Sequence, residues 1–163
     1  MGDRVSANSY RYLDAAATAP LDPEAKAAML HALGGGPGNP SSVHSDGYRA
    51  AAMVGDARRA IATAFGARES EVVFTSGGTE ANNLAVIGLA LANPRGRHVL
   101  TSPLEHPSVL ESCGFLARIF GFEVEQVPVD QNGLVALESV AAMLRKDTTM
   151  VTIGLASGEI GTV

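Results

Sequence analysis

Val72-Val73-Phe74-Thr75-Ser76-Gly77-Gly78-Thr79-Glu80 sets the pattern for the chain. Its first four residues, apolar or β-branched, predict a short buried strand. Residues 79–92 predict a helix, ended by Asn93-Pro94. The alternation then repeats. Residues 99–101, 124–129 and 150–155 read as strands, residues 107–120 and 137–145 as helices, and Gly121 stands where the first of those helices should stop. Strand alternating with helix predicts an α/β fold, a mainly parallel sheet covered by helices, with right-handed crossovers. A site is then expected where the strands' carboxyl ends meet. A sheet ending at residue 163 leaves an edge open for a further strand.

Upstream, Asp22-Pro23-Glu24 is a helix start: Asp caps, Pro suits the first helical position, and Glu favours the positive helix end. Gly34-Gly35-Gly36 stops that helix. Residues 37–47 form a Gly/Pro/Ser/Asn loop, of the kind that is either a linker or a shaped site loop. Ala50, Val54, Ala57, Ile61, Ala64 and Phe65 then mark one face of a long helix, with Gly66 as its C-cap. We therefore expect an N-terminal segment over residues 1–47 and the α/β domain over 48–163.

Composition narrows the classes. The 163 residues are 46% hydrophobic and 18% charged, too apolar for a disordered chain and long enough for a core. A net charge of −5, with basic residues scattered, argues against a nucleic-acid surface. The one cysteine, Cys113, excludes an internal disulfide and a Cys-rich zinc site, and no metal site is expected. It has Val109 and Ala117 one helical turn to either side, a core-like position rather than a nucleophile's. No apolar run approaches the roughly 20 residues of a membrane span. The polar start lacks a signal peptide's apolar stretch, and a cytoplasmic location is expected. Gly2-Asp3-Arg4-Val5-Ser6 fits the myristoylation pattern, which is short enough to recur by accident.

Three loops carry candidate chemistry. In Ser76-Gly77-Gly78-Thr79-Glu80, glycines allow a sharp turn and close backbone approach. Free N–H groups at the following helix start favour an anion such as phosphate. The plain alternative is a strand-to-helix turn capped by Thr79. The loop is not a P-loop, because no Lys follows the glycines. Glu105-His106-Pro107 follows the next strand, so His106 either caps the Pro107 helix or faces a ligand beside the phosphate loop. Ser157-Gly158-Glu159 follows the last strand, at the same expected edge.

Five segments resemble the cysteine desulfurases of the NifS/IscS type, pyridoxal-phosphate enzymes of the class V aminotransferase fold. They are Tyr12-Leu13-Asp14-Ala15-Ala16-Ala17-Thr18, Gly38-Asn39-Pro40-Ser41-Ser42-Val43-His44, the run from Phe74 through Thr79 to Leu84, Glu105-His106-Pro107-Ser108-Val109-Leu110, and Glu159-Ile160-Gly161-Thr162-Val163. They stand in the family's order and spacing. The resemblance implies part of a fold-type I aminotransferase large domain, pyridoxal 5'-phosphate as cofactor, and a homodimer. It implies conversion of L-cysteine to L-alanine, with the sulfur left as an enzyme persulfide for an acceptor protein, as in iron-sulfur cluster assembly. By the same resemblance Gly78 and Thr79 hold the cofactor phosphate. His106 stacks on the pyridine ring and is the catalytic candidate. Asn39 and His44 lie in a loop near the active-site entrance, and Asp14 fixes the N-terminal segment.

Two departures stand out. Where the family has two Asn before Glu-Ile-Gly, the first bonding the cofactor's ring oxygen, this chain has Ser157 and Gly158. Ser157 can still donate a hydrogen bond, from a shorter side chain. Ala15 replaces a frequent Asn. The chain has two lysines, Lys26 and Lys146, neither in the context of the family's Schiff-base Lys. That Lys, the Asp pairing with the pyridine nitrogen and the persulfide-forming Cys belong to the family's later segments. The resemblance is therefore to the N-terminal portion of a desulfurase. A related class V lyase such as selenocysteine lyase, and a non-catalytic remnant or partner-binding module, stay open as alternatives.

Overall fold

The computed structural model describes residues 11–92 and 95–163. The Gly2 pattern and the Asn93-Pro94 helix stop lie outside the described residues. The chain divides into two units, Met1–Phe74 and Thr75–Val163.

In the first unit α1 spans Pro23–Gly34. Asp22 Oδ1 accepts from the Glu24 and Ala25 amides at 2.8 and 3.1 Å, satisfying two of the N–H groups that a helix start leaves open. Gly36, at φ 79°, lies in the conformation that favours glycine just beyond the helix. Helix α2 spans Ser45–Phe65 and ends on Gly66 in the left-handed region. The expected apolar stripe is not the covered face: Val54, Ala57, Ile61, Ala64 and Phe65 are exposed, Phe65 to 84%, only Ala50 is half-buried, and the helix's buried residues, Gly47 and Ala62, lie outside it. A single 3-10 turn, Glu69–Glu71, follows.

The strand expected over residues 72–75 does not form. The Val72 amide bonds back to the Glu69 carbonyl at 3.3 Å, and the Val72 carbonyl accepts from the Arg58 guanidinium. Arg58 also lies over the Phe74 ring, 4.9 Å from its centre. With its polar groups so engaged the segment joins no sheet, and Val73 is 65% exposed.

The second unit contains α3 (Gly78–Ala92), β1 (His98–Thr101), α4 (Pro107–Phe120), β2 (Glu123–Gln126), α5 (Leu137–Met143) and β3 (Thr148–Thr152). The three strands form one parallel sheet in the order β2-β1-β3. The central strand β1 is buried at all four positions. The expected third strand is shorter than residues 124–129, because Pro128 cannot donate to a ladder. Val127 still donates to the Thr101 carbonyl at 2.8 Å. The last expected helix stops at Met143 rather than residue 145, because the Arg145 amide bonds the Thr148 hydroxyl at 2.8 Å.

The core lies between α3, α4 and the sheet: Val86 and Ala90, Val99, then Val109, Cys113 and Leu116, with Phe122 after α4. Leu116 is fully buried, which stabilises by about 2–3 kcal/mol. Cys113 is a buried core thiol, and burial pushes its pKa up. At the amino ends of the strands, Thr149 Oγ1 accepts from the Gly96 amide at 3.1 Å and donates to the Gly96 carbonyl at 2.8 Å. A side chain at Gly96 would collide with Asp147.

Candidate functional site

Helix α3 begins at Gly78, directly on the Gly-Gly turn. The turn is shaped by side chains on either side of it. Thr75 Oγ1 donates to the Gly77 carbonyl at 3.0 Å. The Glu80 carboxylate folds back and accepts from both the amide and the hydroxyl of Ser76 at 2.6 Å. These two bonds hold Glu80 below the usual carboxylate range. The Ala81 amide is the first to bond within the helix turn, to the Gly77 carbonyl at 3.1 Å. The amides of Gly77, Gly78, Thr79 and Glu80 find no acceptor among the described residues. A Cβ at Gly77 or Gly78 would meet nothing within 4 Å, so the approach to these amides is open. Open amides at the positive end of a helix match the chemistry of a phosphate.

His106 occupies the N-cap of α4, with Pro107 as the first helical residue. Its Nδ1 accepts from the Ser108 amide at 3.1 Å and lies 2.7 Å from the Ser108 hydroxyl. The ring therefore does cap its helix, yet it is exposed, and Nε2 has no partner among the described residues. The two helix starts are tied by Asn82, one turn into α3, whose Nδ2 donates to Ser108 Oγ at 2.8 Å. Helix packing thus joins the first turn of α3 to the first turn of α4, which His106 caps. The shared sheet edge expected from the sequence is not what joins them, since no strand among the described residues precedes α3. Asn82 and Ser108 escaped the sequence reading: they are 26 residues apart, and nothing local marks either as facing the other.

Glu105 is the other element missed. Its Oε1 accepts from the Gly154 amide at 2.6 Å and from the Ser102 hydroxyl at 3.1 Å. It thereby joins the loops after β1 and β3. An open cavity of about 410 Å³ lies here, with Ser102, Leu104, Glu105, Gly154 and Ser157 among its walls. Gly78, Thr79 and His106 are not among them. Ser157 is half-buried; its Oγ accepts from the Ile160 amide at 3.4 Å, and its amide bonds the Thr162 carbonyl at 2.9 Å. The hydroxyl keeps its own proton to donate. No hydrogen bond among the described residues joins Ser157 to the start of α3.

The other named residues are placed by local bonds. In the first unit Asn39 Oδ1 accepts from the Ser41 amide at 2.9 Å, and His44 Nδ1 caps α2 on the Gly47 amide at 3.4 Å. The Asp14 carbonyl accepts from the Ala17 and Thr18 amides, each at 3.2 Å. Lys26 lies within α1. Lys146 precedes β3, at the opposite end of that strand from Gly154 and Ser157.

The fold is a parallel α/β sheet with helices, and the sequence as a whole gives its class. Residues 11–163 match the aminotransferase class-V family, and the chain belongs to it. The relatives it is similar to are cysteine desulfurases. The cysteine desulfurase IscS of Dictyoglomus turgidum is 46% identical over 153 residues, covering 93% of this chain and 39% of that protein. Among solved structures, a NifS-like protein matches with a TM-score of 0.85 and 36% identity, over 91% of this chain and 40% of that one. SspA in complex with cysteine matches with a TM-score of 0.84 and 36% identity, over 92% and 43%. The chain thus spans about 40% of the length of the relatives it matches. No helix among the described residues is long and apolar enough to cross a membrane.

Proposed function

We propose that the chain is the N-terminal, cofactor-holding portion of a pyridoxal-phosphate-dependent cysteine desulfurase. The observation that carries the proposal is the start of α3, with four unpartnered amides and an open approach, tied through Asn82 and Ser108 to His106. This donor set fits the phosphate of pyridoxal phosphate. The Gly78 and Thr79 amides, with the Thr79 hydroxyl, would hold that phosphate. The exposed His106 ring would lie against the pyridine face and exclude water from it. Ser157 would donate its hydroxyl proton to the ring oxygen. When bound, the cofactor supplies an electron sink for cleavage next to the substrate's amino group.

On this reading the intact protein takes L-cysteine to L-alanine and passes the sulfur, through an enzyme persulfide, to an acceptor protein in the cytoplasm. It works as a homodimer. Asn39 and His44 belong to the active-site entrance. The similarity to cysteine desulfurases supports the choice of substrate.

Titrating the chain with pyridoxal phosphate, followed by the cofactor's ³¹P resonance, tests the cradle. Gly78→Asp sets a carboxylate against the phosphate and should weaken binding by at least about tenfold. Unchanged binding in that variant would remove α3 from the site.

A further inference from the structure

We propose that Ser108 and Asn82 are positioning residues that hold His106 as an Nε2–H donor, so that the imidazole meets its ligand as a hydrogen-bond donor and not as a proton acceptor. The argument follows the protons. The Ser108 amide can only donate, so Nδ1, 3.1 Å away, must offer its lone pair. A neutral imidazole whose Nδ1 accepts carries its one proton on Nε2. The Ser108 hydroxyl, 2.7 Å from the same nitrogen, then has to donate to it as well. Asn82 favours that direction: its Nδ2–H donates to Ser108 Oγ at 2.8 Å, which occupies one of the two acceptor sites of that oxygen and leaves its proton to be placed on the ring nitrogen. Ser108 is nearly buried, and its carbonyl accepts from the Ser112 hydroxyl at 2.7 Å, which anchors this first turn of α4.

The relay runs one way: from Asn82 to Ser108 to Nδ1, leaving Nε2–H exposed. The ligand partner it selects is an acceptor atom, such as a carboxylate or ring-substituent oxygen. A group that must give up a proton to His106 finds no lone pair on the exposed side of the neutral ring. The part of this that concerns a ligand rests on the reading of His106 as facing the cofactor; the tautomer itself does not.

The test uses the chain labelled with ¹⁵N in its imidazoles, at a pH where free imidazole is neutral. The His106 signals are assigned as those lost in His106→Gln. The wild type should show a protonated Nε2 and an unprotonated Nδ1. In Ser108→Ala the proportion of the Nδ1–H form should rise about fivefold, the size of one ordinary hydrogen bond. Ser108→Thr, which keeps the hydroxyl, should restore the wild-type spectrum, and Asn82→Ala should shift it in the same direction as Ser108→Ala by less. A wild-type ring protonated on Nδ1, or a Ser108→Ala spectrum identical to wild type, would overturn the proposal. Should Ser108→Ala not fold, the wild-type and Asn82→Ala spectra decide. Adding pyridoxal phosphate separates the two ideas. If the tautomer is as assigned but the cofactor leaves the His106 signals unmoved, the stacking role falls and the relay stands.

Discussion

Glu80 is spent on the chain rather than on solvent. By taking the Ser76 amide and hydroxyl it closes the turn before α3, and those two bonds lower its pKa. The sign of the pH effect follows. A carboxylate more acidic in the folded state stabilises fully above its unfolded value, and the contribution is lost as pH falls through the folded one. The turn should therefore loosen from just below the ordinary glutamate range downward. Comparing acid unfolding of Glu80→Gln with wild type checks this: Gln should be the less stable at neutral pH, with the gap closing in acid. At this scale the sequence was legible wherever one residue acts on its near neighbours. Asp22 at the start of α1, and Gly66 and Gly121 at helix ends, do what their chemistry predicts. The partners of His106 were not legible beyond the N-cap itself, because Asn82 reaches it only through the packing of α3 on α4.

Helix α4 is the element on which both core and site depend. Its inner face buries Val109, Cys113 and Leu116, while its first turn holds His106 and Ser108. Leu116→Ala should cost about 2–5 kcal/mol, the range for deleting a buried leucine side chain, read as a lowered midpoint of thermal or urea unfolding. A loss well under this range would mean that the pocket collapses around the alanine. Periodicity placed this helix without error, because its apolar spacing and both end signals agree. Strands were harder to read. Apolar runs at residues 72–75 and 99–101 look alike, but only the second is paired on both edges. The first has its carbonyl taken by Arg58, and a run of side chains cannot report whether a partner strand exists.

For the molecule as a whole, the parallel sheet was predictable from the alternation of elements, but its order was not, since β1 is central although it precedes both neighbours. Near the amino end of the sheet Arg145 reaches Glu123 at 2.8 Å, Glu125 at 3.2 Å and Asp147 at 3.1 Å, joining the approach to β3 to two residues of β2. The Arg145 guanidinium holds Glu123 and Asp147 below the usual carboxylate range. Such surface pairs are screened by salt. Arg145→Met should destabilise measurably at low ionic strength and much less in molar salt; an effect independent of salt would show that packing of the side chain, not its charge, matters. At the other end of the sheet, Glu105 holds Ser102 Oγ and the Gly154 amide with one oxygen. Two loops 49 residues apart therefore share a single latch. The Gly154 amide can exchange with deuterated solvent only when that latch opens, so its exchange rate times the release of the loop that carries His106. Glu105→Ala should speed exchange at Gly154 while leaving β1 amides protected, and a rate unchanged by the substitution would mean that the loops open independently.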